Sequence, residues 1–422
     1  MLIGIDDTDS LEGMCTTYIA ALLCRKLDVA GCPRLIRLNP NIPWKTRGNG
    51  AVSLKVGGDS GKAKEIVLDF VGRHACFDDP RTNPGVVFIE DADFEEKLKR
   101  FYKRAVSELV TIDEAIDVAR EVGAEVYNFG ERDKNGRGVI GALGAVGGFF
   151  SLEDRTYELL AYRVPGNYGK KRKINLDSVF QMNSKTYPGT FNSVDLETKQ
   201  ILITPHGKSN DPVFCGVRGE TPDVVADAWG MIKPLEEIAL TQVFETNQGT
   251  DDHLVEKRIS DVKPYDCVIV RGSITERPKI IEGGHVIFRL SDGGGSIDCA
   301  AYEPTGKFRD TVRELFIGDE IRVCGGVSKY PGTLNMEKIQ VLDLQRKFKK
   351  GNPVCKKCGT RMTSAGKNKG FKCKKCGSKA GETAKIMEEI SRNIEVGFYE
   401  VPSRAMRHLS KPLVRMLKRG EG

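Results

Sequence analysis

The chain has 422 residues, of which 40% are hydrophobic and 29% are charged, and its formal net charge is +7. This length needs more than one hydrophobic core, about two to four domains, and the composition excludes a disordered chain. No apolar stretch reaches the ~18 residues of a membrane helix, and the N-terminus lacks a secretory signal pattern. We therefore predict a soluble, cytoplasmic protein.

The positive charge is concentrated near the C-terminus. Residues 346–379 contain thirteen Lys or Arg and residues 402–420 contain six more, with no Asp or Glu in either segment. Subtracting these nineteen charges from the total leaves the rest of the chain at about −12. A solvated surface would normally include some acidic residues, so this asymmetry predicts a region that binds nucleic acid.

The N-terminal residues predict a short strand followed by a helix. Residues 2–5 are apolar and end at the acidic run Asp6-Asp7-Thr8-Asp9-Ser10, and a helical apolar period begins after Gly13. Carboxylates this close repel one another unless a cation lies among them, and Mg²⁺ with a nucleoside triphosphate is the usual ligand. The helix start at residues 13–17 offers N–H groups to a phosphate. A helix cap with a side-chain turn is the alternative.

Up to about residue 255, predicted strands and helices are interleaved in an α+β pattern. Strands are expected at 52–56, 86–89 and 201–203, and helices at 63–73, 94–110, 112–122 and 224–232. The helix at 112 opens with a capping box formed by Thr111 and Glu114.

Four loops in this region are candidate binding sites. Two combine cations with glycines, namely Lys134 and Arg137 in residues 130–148, and Lys45 and Arg47, with Trp44, in residues 41–50. Glycines let backbone amides approach phosphate oxygens, and Trp44 has a face on which a base can stack. Two polar loops, residues 204–220 and 246–253, lack the spacing of metal ligands. A solvated surface loop is the alternative for each.

Residues 262–343 predict a small β-barrel. Strands are expected at 267–270, 286–290, 297–302, 320–323 and 336–342, with a helix at 308–316. Five short strands with a helix after the third is the layout of the OB-fold, a frequent oligonucleotide-binding barrel. A different small barrel is the alternative.

Four cysteines predict a zinc ribbon. Cys355, Cys358, Cys373 and Cys376 form two CxxC pairs separated by fourteen residues, and a glycine follows each pair. Four thiolates give the tetrahedral shell of structural Zn²⁺, which supplies folding energy to a module with little core. The other eight cysteines lie among apolar neighbours, as in reduced cytosolic proteins.

Cations around the ribbon are candidate RNA contacts. The predicted contacts are Lys356, Lys357, Lys374 and Lys375 in the ribbon, and Arg404, Arg407 and Lys411 beyond it. An exposed amphipathic helix is the alternative for the second group.

Taken together, these motifs resemble the archaeal family of isoleucine tRNA 2-agmatinylcytidine synthetases. The resemblance rests on residues 5–10, 13–17, 204–207, 216–220 and 246–253, together with the barrel and the terminal ribbon in the same order. It covers essentially the whole chain. It implies a kinase-like catalytic α/β domain interleaved with a ferredoxin-like domain, followed by the OB-fold and the zinc ribbon.

The resemblance implies an ATP-dependent ligase that acts on isoleucine tRNA. In that reaction ATP phosphorylates the 2-oxo group of the wobble cytidine, and the amine of agmatine displaces the phosphate to give 2-agmatinylcytidine. ATP is cleaved to AMP and pyrophosphate, and a threonine at the motif position of Thr16 is autophosphorylated. Mg²⁺ and ATP are expected at Asp6, Asp7 and Asp9, and the four loop cations Lys45, Arg47, Lys134 and Arg137 are expected at the nucleotide.

Agmatine is a dication, which makes the polar loops its expected binding region. The expected agmatine contacts are the acidic residues Asp211, Glu220, Asp251 and Asp252; His206 and Arg218 of the same loops are expected substrate contacts. The implied domains are 1–195 (catalytic, with part of the ferredoxin-like domain), 196–258 (its remainder), 262–343 (OB-fold), 346–380 (zinc ribbon) and 381–422 (a basic helical segment). The rival interpretations are a non-catalytic nucleic-acid-binding factor, and a two-metal nuclease or nucleotidyltransferase that uses the same carboxylates.

Overall fold

The computed structural model describes residues 1–46, 48–90, 94–205, 210–329, 332–418 and 420. The helices of these residues are α1 Thr16–Leu23, α2 Ser60–His74, α3 Glu95–Ser107, α4 Ile112–Glu121, α5 Gly138–Ser151, α6 Leu176–Thr186, α7 Pro222–Met231, α8 Lys307–Arg313 and α9 Leu413–Lys418. The strands of the N-terminal part are β1 Leu2–Asp6, β2 Arg34–Arg37, β3 Gly50–Lys55, β4 Gly85–Ile89, β5 Glu125–Tyr127, β6 Thr156–Arg163, β7 Val194–Asp195, β8 Gln200–Ile201, β9 Val213–Gly219 and β10 Ile238–Thr246. Those of the C-terminal part are β11 Val255–Glu256, β12 Cys267–Ile280, β13 Val286–Ser291, β14 Ser296–Ala301, β15 Glu320–Val327, β16 Leu334–Asp343, β17 Phe348–Gly351, β18 Thr363–Ser364, β19 Phe371–Lys372, β20 Lys379–Ala380, β21 Ile386–Glu389 and β22 Gly397–Glu400.

One mixed sheet extends through the N-terminal half, in the strand order β5-β4-β1-β3-β2-β10-β6-β9. Strands β3 and β4 flank β1, and both run antiparallel to it, so the predicted βαβ-like unit is a split βαβ with α2 as its connection. Strand β10 pairs in parallel with β2 and joins the later strands to the first unit. Helices α3, α4 and α5 pack on one face of the β1 region, and α1 and α2 pack on the other.

Helix α5 lies unusually close to β1. A Cβ at Gly4 would lie 2.0 Å from the carbonyl oxygen of Ala142, and one at Gly141 would lie 1.9 Å from the carboxylate of Asp6. The sequence predicted a glycine-rich loop over residues 130–148, but from Gly138 onward the chain is this buried helix. Glycine costs about 1 kcal/mol in a helix interior; here the close packing against the sheet offsets that cost.

Other local predictions agree with the structure to different degrees. The capping box of α4 is present, since Glu114 accepts the N–H of Thr111 at 2.8 Å and Thr111 accepts the N–H of Glu114 at 3.3 Å. The strand predicted at 201–203 is only the two-residue β8, which pairs with β7. Apart from 201–203, the sequence predicted only that further strands lie within residues 155–245, and the structure shows them as β6, β9 and β10; helix α6 was not predicted.

The OB-fold layout is confirmed for residues 267–343. Strands β12, β13, β14, β16 and β15 follow one another around the barrel, β12 pairs with β15 to close it, and α8 lies between β14 and β15. Strand β22, after the ribbon, adds to β16 at the edge of the barrel.

The C-terminal segment differs from the predicted helix over residues 381–422. It contains the short strands β21 and β22 and a largely extended stretch, and only α9 is α-helical in the part that the structure describes. We call residues 402–418 the C-terminal strap. In the described ranges no helix is both long and apolar enough to cross a membrane.

Candidate active site

A cavity of about 780 Å³ opens at the end of β1. Its wall comes from distant parts of the chain: the acidic turn after β1, the start of α1, the 41–50 loop, strand β9 and the C-terminal strap. Residues predicted from the sequence that line it are Asp6, Asp7, Asp9, Thr16, Lys45, Arg137, Asp211, Arg218 and Arg404. The fold therefore brings both the acidic turn and one polar loop to a single site.

Three groups of the protein anchor the carboxylate of Asp7. Asp7 adopts a left-handed backbone conformation (φ 55°), and its side chain is 8% exposed. Its Oδ2 accepts from Arg137 Nη2 at 2.6 Å and from the N–H of Asn83 at 3.1 Å, and its Oδ1 accepts from Thr46 Oγ1 at 3.3 Å. Burial raises the pKa of Asp7, and the charge of Arg137 only partly opposes that effect.

Asp6 lies under α5 and beside Asp7. Burial raises the pKa of Asp6 well above its usual range, and the neighbouring carboxylate of Asp7 raises it further. Among the described residues, Arg137 acts electrostatically on both carboxyl groups. The cation that the sequence predicts between the two carboxylates stays a prediction.

Thr16 begins α1 and lines the same cavity, although its side chain is only 3% exposed. Its Oγ1 accepts a hydrogen bond from Thr8 Oγ1 at 3.0 Å. The side-chain turn considered as an alternative also forms, because Ser10 Oγ accepts from the N–H groups of Glu12 (3.1 Å) and Gly13 (3.2 Å). The turn therefore shapes the acidic loop and coexists with the cavity.

Several predicted nucleotide and agmatine contacts lie outside the lining of this cavity. Lys134 Nζ donates to the carbonyl oxygens of Phe77 (2.6 Å) and Asp79 (3.2 Å). The three acidic residues have other partners: Glu220 binds Arg415 (2.6 Å), Asp251 binds Lys338 (2.6 Å), and Asp252 binds Tyr102 and Lys103. Arg47 and His206 lie outside the described residues.

The cations of the strap have partners within the protein. Arg404 pairs with Asp195 (2.8 Å), Arg407 with Glu337 (3.5 Å), and Lys411 with Asp154 (3.0 Å). These pairs replace the exposed basic helix that the spacing of the cations suggested. Lys411 is 5% exposed and therefore poorly placed for a phosphate backbone. RNA contact at Arg404, Arg407 and Lys411 stays a prediction.

The residues of the cavity wall that were not predicted include Arg37, Glu158 and His408. Glu158 lies 3.7 Å from Arg37 and 3.1 Å from Arg218, and His408 Nδ1 accepts from Arg218 at 2.9 Å. They come from β2, β6 and the strap, so no local motif connects them. Only the fold places them together.

The four ribbon thiols, Cys355, Cys358, Cys373 and Cys376, have Sγ atoms that all lie within 4.8 Å of one another. Each CxxC turn ends at a left-handed glycine, Gly359 (φ 69°) or Gly377 (φ 73°), whose N–H donates to the carbonyl of the first cysteine. A hydrogen bond from Thr360 lowers the pKa of Cys358 to about 6, which favours the thiolate. Four sulfur donors in two matched turns fit structural zinc.

Comparison with protein-family models agrees with this organisation. The TiaS TCKD domain matches residues 2–74, the TiaS FLD domain residues 136–253, an OB-fold nucleic-acid-binding domain residues 268–342, and the TiaS C-terminal zinc ribbon domain residues 352–394. The site of four cysteines is thus the zinc site of a zinc ribbon.

Full-length relatives extend these matches over the whole chain. The isoleucine tRNA 2-agmatinylcytidine synthetase TiaS of Methanosarcina acetivorans is 45% identical, covering 98% of this chain and 97% of the relative. The chain is also similar to two structures of TiaS bound to isoleucine tRNA. The complex with ATP is 43% identical, with a TM-score of 0.86. The complex with AMPCPP and agmatine is 40% identical, with a TM-score of 0.84, and each match covers 98% of this chain and 97% of the other chain.

The fold and the site define a multi-domain α+β enzyme with a carboxylate-lined cavity, an OB-fold and a zinc ribbon. Full-length similarity makes the assignment specific: the chain belongs to the TiaS family of isoleucine tRNA 2-agmatinylcytidine synthetases.

Proposed function

We propose that the cavity at the end of β1 is where this chain joins agmatine to the wobble cytidine of isoleucine tRNA. The chain is an ATP-dependent tRNA 2-agmatinylcytidine synthetase that binds isoleucine tRNA and agmatine. The observation that carries the location is the convergence of Asp6, Asp7, Arg137 and Thr16 on one cavity.

We assign the nucleotide to the acidic turn. Asp6 and Asp7 are the groups that would hold Mg²⁺, because adjacent carboxylates in the lining of one cavity offer the hard oxygen ligands this ion prefers. The ion would neutralise developing charge on phosphate oxygens. Asp9, Lys45 and Arg137 line the same cavity and support the assignment; Arg47 and Lys134 remain predictions.

The chemistry requires an activated base. A cytidine carbonyl is a poor electrophile until its oxygen becomes a phosphate leaving group, and a site rich in Arg and Lys stabilises the charge that separates. Agmatine needs a carboxylate, and Asp211 is the predicted acidic contact that lines the cavity. His206 stays a prediction for the same substrate.

RNA binding is assigned to exposed cations and one aromatic side chain. Lys356, Lys357, Lys374 and Lys375 are all exposed on the ribbon. Trp44, at the wall of the cavity, is the proposed stacking platform for a base. The tRNA therefore has contacts both far from the reacting centre and next to it.

We further infer that the TCKD region is kinase-like and the FLD region ferredoxin-like, with the two interleaved in one sheet. The parallel pairing of β10 with β2 supports the interleaving. We keep the proposed boundaries of 1–195, 196–258, 262–343, 346–380 and 381–422. Cytoplasmic residence is proposed because none of the cysteines in the described residues forms a disulfide.

The decisive experiment combines the purified protein with ATP, Mg²⁺, agmatine and isoleucine tRNA. We expect the mass of one agmatine, less water, to be added to a single cytidine, with AMP and pyrophosphate formed. A transcript with uridine at the wobble position is the control and should stay unmodified. A binding factor would give no ATP turnover, and a nuclease would shorten the RNA.

We predict that the ring of Trp44 stacks on a base of the tRNA. Its side chain is 55% exposed, and its ring centroid lies 6.3 Å from that of Tyr265. Replacement by Ala should weaken binding of an anticodon stem-loop by about 1–3 kcal/mol, and Phe should retain most of the affinity. Titration by calorimetry measures the change.

The chain offers a fluorescence test of the same prediction, because it contains two tryptophans. The other, Trp229, packs against Phe214 with ring centroids 6.4 Å apart. In a Trp229→Phe background, stem-loop binding should quench the remaining Trp44 emission. Unchanged emission together with wild-type affinity of Trp44→Ala would exclude stacking.

We also predict that Thr16 carries the phosphate after autophosphorylation. Thr16→Val keeps the side-chain shape and removes the hydroxyl, so the variant protein should acquire no phosphate label on incubation with ATP, whereas phosphopeptide mapping of the wild type should find the label at Thr16. Thr17→Val is the matched control, since Thr17 is the next residue of α1 and also lines the cavity. Label that persists in Thr16→Val would exclude this acceptor.

A further inference from the structure

Arg37 has unused hydrogen-bonding capacity in the wall of the cavity. It ends β2, and its guanidinium has long contacts: Nη1 is 3.4 Å from the carbonyl oxygen of Gly48, and Nη2 is 3.7 Å from Glu158. Its Nε is buried without a hydrogen-bond partner among the described residues. A buried guanidinium N–H is costly to leave unpaired, which indicates a ligand that supplies acceptors.

A second arginine, Arg218 of β9, lies in the same wall. Its Nε donates to Glu158 Oε1 at 3.1 Å, and its Nη2 donates to His408 Nδ1 at 2.9 Å. Glu158 also accepts from Gln248 Nε2 at 2.5 Å. Two guanidinium groups therefore share one carboxylate, and the cluster keeps a net positive charge facing the cavity.

His408 stays neutral in this cluster. The charge of Arg37, followed by burial and the charge of Arg218, lowers the pKa of His408 well below its usual value. In the tautomer with its proton on Nε2, Nδ1 accepts from Arg218 Nη2 at 2.9 Å; the same nitrogen lies 3.1 Å from Gln248 Oε1, to which the other neutral tautomer would donate. An imidazolium would add a third cation to the cluster.

The C-terminal strap fixes the position of His408. The carbonyl oxygen of His408 accepts from the N–H of Gly249 at 2.8 Å, and that of Leu409 accepts from the N–H groups of Thr250 (3.1 Å) and Asp251 (2.9 Å). Further along, Arg415 binds Glu220 and Asp154 and anchors the strap. A segment that follows the zinc ribbon thus completes the wall of a cavity built near the N-terminus.

We propose that Arg37 and Arg218 form a phosphate-binding subsite of this cavity, and that His408 is a positioning residue that holds Arg218 in place. The inference rests on the proposed function and deepens it. A phosphate oxyanion satisfies both arginines, whereas agmatine, a dication, would be repelled. The phosphate belongs either to ATP or to the RNA backbone beside the target cytidine.

The test uses Arg37→Met in the full-length protein, because this change leaves Glu158 paired with Arg218. Calorimetry measures the affinity for MgATP without RNA and, separately, for an anticodon stem-loop without ATP. We expect one affinity to fall by about 10- to 100-fold, as for loss of charge-assisted hydrogen bonds. The ligand whose affinity falls, MgATP or the stem-loop, identifies the source of the phosphate. No change in either arm, or equal loss in both, overturns the subsite.

A pair of variants tests the positioning role of His408. In His408→Asn the amide oxygen can replace Nδ1 as the acceptor for Arg218, whereas His408→Ala removes it. We expect His408→Ala to weaken binding of the same ligand that Arg37→Met affects, and His408→Asn to retain most of the wild-type affinity. His74→Ala, at the end of α2, is the control for loss of an imidazole. Equal behaviour of Ala and Asn would overturn the positioning role.

Agmatine incorporation by the wild-type protein is measured in the same preparation. An inactive wild type contradicts the proposed function. An active wild type combined with unchanged binding by Arg37→Met contradicts only the subsite.

Discussion

Replacement of Asp7 by asparagine is expected to reduce ATP cleavage by at least about 100-fold, the scale of losing one preorganised electrostatic contact to a reacting group. The substitution removes the negative charge that faces Arg137 and the proposed Mg²⁺, yet the amide oxygen can still accept from Asn83 or Thr46. Affinity for tRNA should stay nearly unchanged, since the ribbon lysines are distant in sequence and exposed. AMP formation and tRNA binding are measured on the same preparation.

Asp78→Asn is the matched control for this prediction, because Asp78 is an exposed carboxylate. It should leave ATP cleavage at the wild-type level. The thermal midpoint of Asp7→Asn must also be measured, since Arg137 loses a partner 2.6 Å away. Parallel loss of ATP cleavage and tRNA affinity in a folded variant would contradict the division between cavity and ribbon.

Features with a short-range signal were predictable from the sequence. The apolar run before Asp6, the capping box at Thr111 and the alternating strands of the barrel all express periodicities or caps that need no distant partner. The two CxxC pairs were predictable for the same reason, because their spacing alone defines a metal shell. From these features the acidic turn after β1 and the four ligands of the zinc site could be predicted.

Features that depend on distant partners were not predictable. Arg37, Glu158 and His408 have no common motif, and only the sheet and the strap bring them together. Helix α5 looked like a loop because glycine disfavours helices in isolation. Close packing against β1 outweighs that preference, and it could be recognised only once the sheet was known.

The cations of the basic tail show what a charge pattern leaves out. They are spaced like those of a surface that binds a polyanion, yet Arg404, Lys411 and Arg415 meet carboxylates far away in the sequence, such as Asp195 and Asp154. A net charge count does not show which cations are already paired. The exposed lysines of the ribbon are better placed for a phosphate backbone, and the RNA contacts predicted at Arg404, Arg407 and Lys411 stay predictions.

Cys358→Ser is expected to release zinc and to weaken tRNA binding. A structural zinc site contributes about 10–16 kcal/mol to the folding of small domains, and the ribbon core contains little besides Met362, Phe371 and the ligands themselves. Loss of one thiolate should therefore lower the zinc content well below one ion per chain. Elemental analysis of the purified protein gives this number directly.

The salt dependence of tRNA binding tests the role of the ribbon lysines independently of affinity. Each phosphate contact that is lost reduces the slope of log K against log salt by about 0.7–0.9. If Cys358→Ser disrupts the ribbon and all four lysine contacts are lost, the slope should fall by about 3. Affinity for MgATP alone should not change. Cys32→Ser, which removes a half-buried thiol outside the ribbon, should keep zinc, slope and affinity at wild-type values. A zinc-depleted Cys358→Ser protein with the wild-type slope would show that the ribbon lysines do not bind the RNA backbone, and the RNA contacts would then have to lie on the barrel and the cavity rim.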